Sequence, residues 1–137
     1  MPRTEKLLAI LLRLTALGTL SAAVPLFMPL DWMNQSHRQM GLGDLPDSPV
    51  VEYLARSTCA FYAMFGGLLW LLAGHVRKYA PVIRYTAAVG AVFSALITAI
   101  DYRLGLPPFW TWTEGPLTLL VCLAILALQW KLADEKV

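Results

Sequence analysis

Four runs of apolar residues, each about as long as a bilayer is thick, govern what this chain can fold into. They cover about residues 7–28, 49–74, 81–101 and 113–130. An α-helix rises ~1.5 Å per residue, so about 20 residues match a ~30 Å hydrocarbon core. Lipid offers the backbone no hydrogen-bond partners. A helix satisfies its own, whereas barrel strands would need an every-second-residue alternation that these runs lack. The sequence therefore predicts an all-α integral membrane antiparallel four-helix bundle, one domain over residues 1–137. Composition agrees, at 58% hydrophobic and 15% charged, against about 45–50% and about 25% in soluble domains. No repeat or low-complexity tract marks a second unit. The formal charge of +2, with no run of five or more basic residues, makes no case for nucleic acid.

The first run follows Arg3 and Lys6 and is interrupted by Arg13. A cleaved signal peptide ending near Ser21-Ala22-Ala23 is the rival reading. The apolar character continues through Pro25 to Met28, which favours a retained span. Residues 29–48 are polar and turn-rich. Asp31 is expected to cap a short helix from Trp32 to Met40 that ends at Gly41. Trp32, Met33, Ser36, His37 and Met40 share one face of it, as in a helix lying at the membrane surface. Ser48 is expected to cap the second span, with Pro49 at its first position. The third span opens at Pro81. Thr113 is expected to cap the fourth, placing Pro116 in a tolerant first turn, and Trp110, Trp112 and Trp130 bracket it as an aromatic belt.

Basic residues set the orientation. Arg3, Lys6, Arg77, Lys78, Arg84, Lys131 and Lys136 fall on one side of the four spans. The other side has Arg38 and Arg103, together with Asp31, Asp44, Asp47 and Asp101. The positive-inside rule then predicts cytoplasmic termini and, in a bacterium, an inner-membrane protein with its first and third connections in the periplasm.

Ionisable groups near the middle of a bilayer cost about 2.5–3.5 kcal/mol on insertion scales, so each needs a reason. Glu52 and Arg56 stand one turn apart in the favourable order and can pair. Their face continues through Cys59, Ala63, Gly66, Gly67 and Trp70, whose small members permit close helix approach. Asp101, Thr98, Ser94, Ala91 and Ala87 form a polar-small stripe on the third span. Glu114, Thr118, Cys122 and Gln129 lie near one face of the fourth, and span one offers Thr15, Thr19 and Ala22. The topology gathers Glu52, Arg56, Asp101, Arg103 and Glu114 at the outer helix ends, with His37 and Arg38 in a connection able to cover them. These residues are the candidate binding pocket. A purely structural reading stands beside it: Glu114 suits a helix N-terminus, Asp101 and Arg103 suit headgroups, and Glu52–Arg56 suits a helix-joining pair. Arg13 and Arg84 are expected to snorkel toward the cytoplasm.

No nucleophile elbow, metalloprotease helix, Walker loop or dinucleotide fingerprint occurs, so no catalytic residue is named. His75 sits at a span end and His37 outside the spans, which disfavours haem, and no metal set or other cofactor is expected. Cys59 and Cys122 form no CxxC pair. They read as buried free thiols or, alternatively, as a redox pair between spans two and four.

Two stretches carry a family resemblance. One runs from Tyr53-Leu-Ala-Arg56 through Tyr62 to Gly66-Gly67, an arginine entering a span ahead of small residues. The other is Ile100-Asp101-Tyr102-Arg103-Leu-Gly105-Leu-Pro107, followed by Trp110 and Glu114-Gly115-Pro116. In these stretches and in layout the chain resembles the DoxX-like group of small bacterial four-span membrane proteins. Some of that group are linked to quinone-coupled sulfur oxidation, but no residue here matches that chemistry. Three functional readings remain: an accessory subunit contacting a membrane partner or a second copy, a protein binding or transporting a lipid, quinone or other small molecule through the outer pocket, and a thiol or quinone oxidoreductase.

Overall fold

The computed structural model describes residues 2–135, and its regular structure is entirely helical. The elements are α1 (Arg3–Leu20), α2 (Ala23–Phe27), α3 (Leu30–Gln39), α4 (Pro49–Ala73), α5 (Ala80–Leu104) and α6 (Pro108–Asp134). Four helical stretches are long and apolar enough to cross a membrane, the first being α1 and α2 taken together. A break at Ser21–Ala22 separates those two. Its cause is Pro25, which has no N–H to give the Ser21 carbonyl. Val24 N donates to that carbonyl instead, at 3.0 Å, in a tighter turn.

Ser48 and Pro49 occupy the expected cap and first helical position of α4, although the Ser48 side chain makes no capping bond. Two expected caps are displaced. Asp31 lies in the first turn of α3, which follows Pro29. Thr113 lies inside α6, where its hydroxyl donates to Phe109 O at 2.8 Å. Pro108, preceded by Pro107, starts α6 earlier because its fixed φ suits the first helical position. Pro116 is consequently interior. Lys136, one of the basic residues used to orient the chain, lies outside the described residues.

Thr4 donates to Glu135 at 2.6 Å, so the first and last spans begin and end together. Arg77 reaches Glu5 at 2.9 Å and ties the α4–α5 connection to the same end. We call this the termini half. At the opposite end the turn after α3 meets the α5–α6 connection, where Gly41 faces Pro107. This is the α3 half.

The seams run α4–α1–α6–α5. Gly66 of α4 lies so close to α1 that a Cβ there would stand 2.6 Å from Thr19 Oγ1 and 2.8 Å from Leu20 N. Gly115 of α6 presses likewise on Thr98 and the Ser94 carbonyl of α5, and Gly90 of α5 on the Cys122 sulfur. The polar-small stripe of α5 therefore faces α6, where close approach increases dispersion contact between backbones. Although α4 and α5 are consecutive, they share no comparable seam.

The apolar core is one-sided. Leu8, Leu12, Leu69, Val76, Ile83 and Ile125 are buried together, all in the termini half. In the α3 half, Phe61, Tyr62 and Phe65 of α4 stay open.

Candidate functional site

Arg56 projects from α4 toward the end of the first span. Its Nε donates to Glu52 Oε1 at 2.8 Å, and its Nη1 donates to Leu26 O at 2.7 Å and Met28 O at 3.2 Å. Pro29 supplies no amide at its position and Met28 is extended, so the last α2 carbonyls have few donors from their own helix. The guanidinium fills that role from a neighbouring span. The expected Glu52–Arg56 pair thus forms and takes on a third party, the break between α2 and α3.

His37 is folded into its own connection, with Nδ1 3.0 Å from Gly43 O. Asn34 Oδ1 accepts from Leu45 N at 2.7 Å, and Arg38 pairs with Asp44 at 2.9 Å on the exposed surface. These bonds make the segment after α3 an ordered turn. Arg103 is exposed at the end of α5 and has no ion pair among the described residues.

Asp101 and Glu114 come together. Asp101 stands on the last turns of α5 with 4% of its surface exposed. Its backbone carbonyl accepts from Leu106 N at 3.1 Å as the helix closes on Gly105, whose φ of 67° is the left-handed value glycine adopts freely. Its carboxylate Oδ2 has no hydrogen-bond partner. Glu114, half-buried on α6, is within electrostatic reach of Asp101, and the Trp110 side chain is within hydrogen-bonding reach of Glu114. Tyr62 of α4 is within electrostatic reach of both Glu114 and Cys59. It stands on α4, which has no extensive seam with α5 or α6, and is itself exposed.

The six expected residues therefore divide into Glu52 with Arg56, Asp101 with Glu114, and His37 and Arg103 apart from both. Tyr62 and Trp110 join the carboxylates although neither was among the candidate site residues. Trp110 was accessible to sequence reasoning, since it precedes Glu114 by one turn. Tyr62 was not, because its place depends on how two separate spans lean.

Burial and location single out Asp101. It is buried beside a second carboxyl group, at a helix C-terminus where the backbone dipole is also negative. The arginine best placed by sequence is committed to carbonyls elsewhere. On the same half, Thr58, Phe61, Tyr62 and Phe65 line a shallow cleft of about 300 Å³ on one face of α4. Cys59 is half-buried and Cys122 buried, both as free thiols. No group of three or more His, Cys, Asp or Glu able to hold a metal occurs among the described residues. No family model, curated protein or solved structure matches the chain.

Proposed function

We propose that this chain is a bacterial inner-membrane protein with cytoplasmic termini that binds a small amphiphilic molecule in the cleft of its α3 half, which faces the outside. The distribution of Lys and Arg and the DoxX-like stretches support the location. The carrying observation is the buried Asp101 carboxylate, whose Oδ2 is unpartnered and which lies within electrostatic reach of Glu114 in the same half of the bundle. A group kept for stability alone would be paired, since an uncompensated buried charge destabilises a fold by several kcal/mol, of order 3–5. Ligand cavities in proteins take the same form, mostly apolar with a few convergent polar groups.

Alkylation tests this reading. In a full-length chain with Cys59 and Cys122 replaced by alanine, Thr58→Cys should react with a membrane-impermeant maleimide added outside intact cells. Absence of labelling there, with labelling after detergent solubilisation, would mean that no outward cleft exists.

A second reading, an accessory subunit, draws on Arg13. Its guanidinium sits 5.7 Å from the Trp70 ring on an exposed face of α1 and α4. A second chain, whether a partner or another copy, would shield that charge from lipid. Native mass spectrometry in mild detergent would find the added mass if so.

A further inference from the structure

We infer that the groove between α1 and α4 binds one anionic phospholipid from the leaflet at the termini end, its phosphate on Arg13 and an acyl chain along Leu17, Leu20 and Gly67. This site is separate from the outer cleft and does not rest on it. Two adjoining features carry it: an arginine within a span that lacks a counter-ion, and an apolar groove.

Arg13 lies near the middle of the span Arg3–Phe27, on an exposed face of α1. It has no ion pair among the described residues. Helices α1 and α4 contain one acid each. Glu5 is held by Arg77 at 2.9 Å, and Glu52, at the far end of α4, by Arg56 at 2.8 Å. The Arg13 guanidinium stands 5.7 Å from the Trp70 ring. A charged side chain in a span needs a partner or a polar surface. The acids of α1 and α4 are already engaged.

Trp70 joins that charge to the groove. With Leu17, Leu20, Gly67 and Leu71 it lines a space of about 460 Å³. A Cβ on Gly67 would meet nothing within 4 Å, unlike one on the neighbouring Gly66. Gly66 thus serves the seam with α1, whereas Gly67 leaves room beside it.

The register orders the two parts. The Arg77–Glu5 pair sets the end of α4 beside the start of α1, and Gly66 meets Thr19 and Leu20. Six residues back from Thr19 is Arg13. Six residues on from Gly66 is Leu72, next to the end of α4 at Ala73. Arg13 therefore lies toward the termini surface, and Leu17, Leu20 and Gly67 lie deeper. Lys6, Ile10, Arg13, Leu17 and Leu20 follow at steps of three and four, so they share one face of α1. Its basic end followed by its apolar end matches a headgroup followed by a chain.

Charge selects the occupant. A guanidinium fork suits phosphate oxygens, and basic pockets between spans take anionic headgroups. Lys6, also exposed, adds a second positive charge and disfavours a headgroup that carries an ammonium. A second copy of the chain brings no free acid to that depth. Its Glu5 and Glu52 are engaged, Asp101 and Glu114 lie in the other half, and Asp134 sits at the end of α6.

The experiment is native mass spectrometry of the full chain, delipidated in mild detergent and given equal amounts of phosphatidylglycerol and phosphatidylcholine with the same acyl chains. One phosphatidylglycerol per chain should be retained, with a preference of about tenfold, as expected for a charge-assisted phosphate contact. Arg13→Gln should abolish the preference, and Arg13→Lys should keep most of it. Gly67→Leu fills the open space and should lower retention of both lipids; it serves as the test if Arg13→Gln is not monodisperse. Equal retention of the two lipids by the natural chain would overturn the inference. So would a preference that survives both Arg13→Gln and Gly67→Leu, or a second protein chain, in place of lipid, that is lost in Arg13→Gln. The last result would establish the subunit reading instead. Labelling of Thr58→Cys bears on the outer cleft alone, so the two sites stand or fall separately.

Discussion

The two halves of this bundle are built on opposite principles. In the termini half, four spans converge on a shared apolar core, and their ends are tied by Thr4–Glu135 and Glu5–Arg77. In the α3 half the spans separate into an α1/α2–α4 pair and an α5–α6 pair, each with its own glycine-mediated seam. Buried residues there are polar or small: Ser94, Asp101 and Gly115, with Met33 of α3 as the large exception. The difference is one of packing: the termini half holds the shared apolar core and the α3 half does not. One half holds the chains together, and the other is then free to carry unpaired acid.

Core truncation should separate the halves most strongly. Leu12→Ala removes a side chain 1% exposed, and large-to-small core changes cost about 2–5 kcal/mol. Phe61→Ala removes a larger side chain that is 67% exposed, and substitutions at exposed positions usually stay within about 0.5 kcal/mol. Thermal unfolding in one detergent should rank them in that order. Equal losses would mean that the α3 half is packed as tightly as the other.

Arg56→Ala comes next. It leaves Glu52 without its partner and strips donors from the Leu26 and Met28 carbonyls. Charged hydrogen bonds of this kind contribute about 1.5–3 kcal/mol. The loss should show first as proteolysis between α2 and α3, ahead of global unfolding. Gly115→Val sharpens the seam within the α3 half, since its new Cβ would collide with Thr98. Overpacking costs about 1–3 kcal/mol, read as a lower melting temperature. The smallest effect belongs to the surface pair Arg38–Asp44, whose side chains are 61% and 75% exposed. Asp44→Asn should change stability by less than about 1 kcal/mol, and a larger shift would mark the turn after α3 as part of the packed structure.

The sequence made the halves only partly legible. Run length and the Pro49 start placed the spans, because hydrophobic length and a missing proline N–H act locally. The stripe from Ala87 to Asp101 announced a helix contact, and α6 fills it. Other features depend on distant partners. Arg56 was visible as one half of a local pair, yet its bonds to Leu26 and Met28 span some thirty residues of chain and required the first span to end in an extended Met28 ahead of Pro29. Thr113 was a good cap by type and lost to Pro108, whose fixed φ starts the helix a turn and more sooner. The missing seam between α4 and α5 left no mark at all, since neither helix encodes how far away the other will lie.

Paired spin labels test the contrast between the halves most directly. In a background with both native cysteines replaced by alanine, one pair joins Thr58→Cys and Leu117→Cys across the α3 half. A second joins Leu71→Cys and Ala127→Cys across the termini half. All four positions are exposed and accept a label. Double electron–electron resonance should give a narrow distribution for the termini pair and a broader one for the α3 pair. Two narrow distributions of equal width would contradict the account.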